Sequence, residues 1–214
     1  MHAINCVVVS LLVGMCGAAM TPQVVTPRVQ DVDLRTLPKS PVWKPGDPVR
    51  EVGDLKRTDA PRTMLTLERH TMRVVNGALT VHQAAGDALV AGPFPFASLW
   101  PSGADPCGVE VEWPPSIQVD RTAGRWLVSQ RFQPTGPENR VPVCIAISRT
   151  ADPVSGGWAL YDFMLPVSRS DAALDVGNDA YQLSGEAGGK AVRISFDRAA
   201  MLAGKPAGFT ISPR

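Results

Sequence analysis

The sequence predicts an all-β protein of antiparallel meanders behind an irregular, proline-rich N-terminal arm. Three observations predict it. Asn76-Gly77, a dipeptide that accepts positive φ at both central positions of a tight turn, separates two apolar alternations and predicts a hairpin over 72–83. Four strand-like segments follow one another between residues 116 and 165 with short turns between most of them. Helix signals are few, and only 197–204, DRAAMLAG, reads as two helical turns stopped by Gly204.

The first nineteen residues, MHAINCVVVSLLVGMCGAA, hold no Asp, Glu, Lys or Arg, run apolar from Val7 to Met15 and end on Gly17, Ala18 and Ala19. They predict a secretory signal peptide, residues 1–19, cleaved after Ala19. A membrane anchor wants a longer apolar run, and lipoprotein processing at Cys16 is disfavoured by the bulky Met15 before it. The mature chain is therefore expected to be secreted or periplasmic, with no transmembrane segment once the signal is removed. Of four cysteines, Cys6 and Cys16 leave with the signal, and Cys107 and Cys144 remain. In an oxidising compartment that pair predicts a disulfide. Its loop of 38 residues, counting both ends, is worth about 3–4 kcal/mol by chain entropy.

Residues 20–61, with Pro22, Pro27, Pro38, Pro41, Pro45 and Pro48, predict an extended or irregular arm wrapping a β domain over 62–214. The turn signals Pro45-Gly46 and Asp47-Pro48 make 42–54 the expected ordered part of that arm. After the 72–83 hairpin come IQVD (117–120), the turn RTAG and RWLVSQRF (125–132). Alternation there puts Trp126, Val128 and Phe132 on one face and Leu127, Ser129 and Arg131 on the other. VPVCIAIS (141–148) is almost continuously apolar and is expected to be buried on both faces. ADPVSGG then turns the chain into WALYDFML (158–165). Four such strands make a meander of about fifty residues, the size of one propeller blade. DAYQLS and KAVRISF, separated by GEAGG, predict a further strand pair. VHQAAGDAL at 81, VDRTAGRWL at 119 and FDRAAML at 196 each end a strand and open a turn, and are read as an echo of a blade-scale repeat.

VDRTAGRWLVSQRF, followed by CIAISRTADPVSGGWALYDF and SFDRAAMLAGKP, resembles a group of secreted bacterial β-propeller-like proteins. In that group a blade reads as aspartate, a short turn, Arg-Trp, a strand, Cys-Ile/Val-Ala-Ile/Val-Ser, Asp-Pro and an aromatic strand. LTVHQAAGDALVAGPFPFASLW resembles the preceding blade and PGDPVREVG its opening turn, so the resemblance covers most of 42–208. It implies a propeller scaffold. Two departures stand out: EWPPSIQVD replaces the group's Gly-Asp-Pro before the strand, and the later acidic, aromatic segment is reduced to SDAALDVGNDAYQLSG. A cation or ligand site built on those acids is correspondingly less expected. About three blade equivalents are fewer than the four that close a ring. That leaves an incomplete or open propeller, a different small β fold, or part of an assembly that another chain completes.

The chemistry in the sequence is sparse. With 21 Lys+Arg against 20 Asp+Glu and no basic block, nucleic acid is set aside as a partner. No Gly-x-Ser-x-Gly elbow occurs, and the mature chain has only His70 and His82, the latter read as an exposed or edge-strand residue. Asp120, Asp152, Asp162, Asp171, Asp175 and Asp179 offer pairs for glycoside chemistry. Asp120 at a strand end and Asp152 before Pro153 have plain uses as turn acceptors. The stretch 175–186 fails the EF-hand spacing, with Gly177 and Ala180 where a ligand and a glycine belong. Two cysteines with distant histidines do not make a zinc site. Trp100, Trp113, Trp126 and Trp158 are read first as packing, with Trp113 the best candidate for a ligand groove. No catalytic, cofactor-binding or metal residue is assigned, and no cofactor is expected; the assigned pair is the disulfide Cys107–Cys144. The expected function is an exported binding or structural protein of the envelope or extracellular space, with a protein or carbohydrate ligand. The alternatives are a polysaccharide-active hydrolase or lyase using paired carboxylates, and a subunit of an envelope assembly.

Overall fold

The computed structural model describes residues 23–39, 64–75, 77–101, 106–109, 114–134, 140–171 and 173–214. The predicted signal peptide, the stretch 42–54, Asn76 and Trp113 lie outside them. In chain order the strands are β1 (Val24–Val25), β2 (Arg28–Gln30), β3 (Met64–Leu67), β4 (His70–Val75) and β5 (Ala78–Gln83), then β6 (Leu89–Pro95), β7 (Ser116–Asp120) and β8 (Arg125–Arg131). They continue with β9 (Val141–Ser148), β10 (Trp158–Leu165), β11 (Arg169–Ser170), β12 (Asp175–Val176), β13 (Ala180–Ala187), β14 (Lys190–Asp197) and β15 (Ala207–Pro213). One short helix, α1 (Arg198–Leu202), lies between β14 and β15 among the described residues.

Antiparallel pairing sorts these strands into three sheets. The first is β3-β4-β5-β6. The middle sheet is the predicted meander β7-β8-β9-β10, extended by β2. The third is β13-β14-β15, flanked by β11 and β12 on one side and by β1 on the other. The fold is all-β, as the alternations predicted, and its sheets stack face to face in an open, propeller-like arrangement.

Period-two alternation decides that stacking. On β9, Cys144 and Ala146 join a core with Met72, Leu79 and Val81 of the first sheet. Ile145 and Ile147 join a second core with Tyr181, Leu183, Ile194 and Phe196 of the third. All eight residues of β9 are buried, which is why 141–148 carries almost no polar residue. Trp126, Val128 and Phe132 share the first core and Leu127 lies in the second, the predicted division of β8. The Cys107–Cys144 disulfide, with Cα atoms 5.8 Å apart, pins the connection between the first and middle sheets to the face of β9.

The outer faces of the flanking sheets are polar. Cross-strand rows on the first sheet read Thr66, Thr71, His82, Leu89 and Met64, Arg73, Thr80, mostly polar with two exposed apolar ends. Those on the third read Gln182, Ser195, Thr210 and Ser184, Arg193, Ser212. The third sheet shows the pattern of an antiparallel sheet with one wet side, whereas Thr71 and Thr80 on the first are buried.

The arm is extended where it is described, and parts of it form two short strands, because the rim strands of the body present unpaired backbone groups. β1 pairs with β15 and β2 with β10. The chain then enters a 3-10 turn at Leu34–Thr36 beside β6, where Leu34 is buried and its amide bonds the Val154 carbonyl at 2.8 Å. The arm thus crosses the last strand of each sheet in turn, third, middle and first. On the opposite side β3 and β12 both approach β7.

The echo at 81, 119 and 196 is not a repeat. Its members fall on β5, β7 and β14, which hold different places in their sheets. What two of them share is local: Asp120 and Asp197 each accept the amide three residues on, from Ala123 at 3.0 Å and Ala200 at 3.0 Å. Asp-Arg-x-Ala is a capping device used once to open a turn and once to start α1.

Candidate functional site

Of the carboxylates singled out in the sequence, Asp120 has the most chemistry around it. It ends β7 with no exposed surface. Its Oδ1 accepts from Thr122 Oγ1 at 2.8 Å, the Ala123 amide at 3.0 Å and Arg198 Nη2 at 3.0 Å. Oδ2 accepts from the Tyr181 phenol at 2.9 Å and Arg198 Nε at 2.7 Å. Burial alone would raise its pKa, but the bonds from Arg198, Ala123, Thr122 and Tyr181 outweigh burial and hold the carboxyl far below the usual range. The Tyr181 phenol is pushed up well beyond the ordinary tyrosine value, by burial first and then by the Asp120 bond and charge. Five donors saturate the carboxylate, which has about four lone-pair sites. Asp120 is therefore a latch between the middle and third sheets, with nothing left for a substrate or a cation.

Asp152 is the predicted turn acceptor. Its oxygens take the Val154 amide at 2.9 Å, Ser155 Oγ at 3.0 Å and Arg69 Nη2 at 3.2 Å. Asp162 stands on β10, Asp175 on β12, and Asp171 and Asp179 in the connections on either side of β12, so the structure spreads these acids over several elements. The 175–186 stretch is a hairpin, with Asp175 opposite Gln182 and the Gly177 amide on the Ala180 carbonyl at 3.0 Å, rather than a ligating loop. Among the described residues no group of three or more His, Cys, Asp or Glu side chains gathers.

The histidines occupy opposite faces of the first sheet. His70 is buried on the inner face, its Nδ1 has no hydrogen-bond partner, and burial lowers its pKa. His82 lies on β5, an interior strand and not the expected edge, with its ring between Thr80 Oγ1 at 3.2 Å and the Asp87 carbonyl at 3.1 Å. Trp126 and Trp158 are wholly enclosed and donate Nε1 to the Ala151 and Pro153 carbonyls at 3.1 and 3.0 Å. Both bonds end in the 148–157 turn, so the Arg-Trp and Gly-Trp motifs fix that turn to the core. Trp100 is buried against Phe96.

A site that the sequence reading did not identify lies where β8 leaves the middle sheet and β9 enters it, beside β11. A cavity of about 300 Å³ opens there. Arg131, Arg169, Ser168 and Ser170 form its polar wall, and Phe132 and Val141 contribute an apolar one. Among the described residues no carboxylate lines it. Arg131 Nη1 donates to the Ser170 carbonyl at 2.7 Å, bridging the middle and third sheets. Ser168 Oγ donates to the Glu186 carbonyl at 2.9 Å. The Ser170 side chain is buried, and its Oγ has no hydrogen-bond partner. Arg131 and Arg169 also have other partners, and a guanidinium with five N–H groups can hold several at once.

Glycine makes this geometry possible. Gly185 lies opposite Ser170 in the β11–β13 register. A Cβ there would sit 2.8 Å from the Arg169 carbonyl and 2.9 Å from Ile194 Cδ1. Only a bare backbone lets β11 approach closely enough to carry Ser168–Ser170 to the end of β8. One signal was present in the sequence: Arg131 alternates with Leu127, on the face that packs against the third sheet, and a cation on a burying face needs a reason.

No protein-family model matches the chain, and neither a curated protein nor a solved structure does.

Proposed function

We propose that the protein is an exported binding module of the envelope or extracellular space, and that its ligand seats in the cavity between the middle and third sheets. The observation that carries this reading is the convergence of Arg131 and Arg169 with an apolar wall of Phe132 and Val141 on one cavity. The wall is carried by strand ends of a doubly buried sheet, which supports recognition on a rigid frame. The disulfide agrees with an oxidising compartment, and no helix among the described residues is long and apolar enough to cross a membrane. Both sit well with the leader-like first nineteen residues.

The test is a thermal-shift screen of monosaccharides, sugar acids and short peptides on the wild type and on Ser168→Trp, which fills the cavity mouth. Ligands that raise the wild-type Tm and leave the variant unmoved support the reading. A screen in which the blocked variant responds equally, or in which nothing raises the wild-type Tm, contradicts it.

A further inference from the structure

We infer that the cavity selects a small organic acid, one carboxylate on a compact ring body, over a neutral molecule of the same shape. The inference rests on the cavity being the ligand site, as proposed above, and adds the chemical class of the ligand. Arg131 and Arg169 bring two positive charges to a lining that, among the described residues, holds no carboxylate, and guanidinium–carboxylate bonds are roughly twice as strong as neutral ones. Arg131 is already anchored on the Ser170 carbonyl at 2.7 Å, so little ordering remains to be done on binding. Phe132 and Val141 supply an apolar surface that a bare inorganic anion does not use but a sugar or cyclic ring does. A volume of about 300 Å³ lies at the small end of ligand pockets, which points to a single ring rather than a chain of them.

The experiment is calorimetric titration of the full chain with glucuronate, glucose and inorganic phosphate. Glucuronate is expected to bind at least about tenfold more tightly than glucose, and more tightly than phosphate. Arg169→Gln, at an exposed position whose change leaves the core intact, is expected to weaken glucuronate by about tenfold. If glucose and glucuronate bind equally and Ser168→Trp abolishes both, charge selection is overturned while the cavity remains the ligand site. Phosphate binding as tightly as glucuronate overturns the role of the apolar wall and the organic-acid class with it. Glucuronate binding that neither Arg169→Gln nor Ser168→Trp alters overturns the inference and the site together. No binding of any of the three overturns the inference.

Discussion

Asp120 and Arg198 meet from 78 residues apart. Replacing Asp120 by Asn keeps the shape but leaves Arg198 and Tyr181 facing a neutral amide. Removing one partner of a buried pair costs about 3–5 kcal/mol, and the lower end is expected because the Arg198 side chain keeps 16% of its surface exposed. Urea unfolding of Asp120→Asn checks this. The sign with pH follows from the depressed folded pKa: the contribution is present above the unfolded carboxylate value of about 3.9 and is lost as pH falls below it. The variant should therefore show a flatter acid limb than the wild type. His70 acts in the same direction at higher pH. Its folded pKa is lowered by burial, so stability is present above the unfolded value of about 6.5 and declines as pH falls through it. His70→Leu is expected to remove that decline between about pH 7.5 and 5.5, measured as urea midpoints. Asp120's part in its own turn was legible in Asp-Arg-Thr-Ala, because capping acts within three residues. Its arginine was not, since no local pattern announces a partner brought by a different sheet.

At the level of elements, what could be read was what repeats at short range. The alternation of β8, the unbroken apolar run of β9 and the stop of α1 at Gly204, whose φ is +62°, all express local geometry. β1 and β2 were not legible: two or three residues in proline-rich text carry no period, and they are strands only because β15 and β10 offer edges. β15 was missed because AGFTISP follows a glycine stop and shows its apolar side only against Phe196 and Ile194. The arm's stabilising contact is Leu34, and Leu34→Ala is expected to cost about 2–4 kcal/mol in a chemical melt. The covalent staple joins elements that packing alone would hold less firmly. Reduction, or Cys107→Ser with Cys144→Ser, is expected to lower stability by about 4 kcal/mol for a loop of this length, read from urea unfolding with the slope fitted separately, since the unlinked chain unfolds to a more expanded state. A shift below about 1 kcal/mol would mean that the loop is already ordered in the unfolded chain.

For the molecule as a whole, the question raised by three blade-sized sheets is what closes them. A closed propeller buries both faces of every blade; here, among the described residues, the two apolar cores lie on the two faces of the middle sheet. The third sheet turns serines, threonine, glutamine and arginine outward, and the arm runs along the rim that would otherwise offer edges for pairing. The β15 and β10 edges are thus covered from within the chain. Sequence reading left an assembly open, because a count of blades does not say which faces are covered, and a mass measurement decides it. The cavity was beyond its reach for a related reason, since Arg131 and Ser170 belong to different sheets and meet only through the register that Gly185 permits. The most direct test of this account is the mass of the mature protein in solution by light scattering. The account predicts one chain per particle across the micromolar range; a stable dimer or larger ring would contradict it.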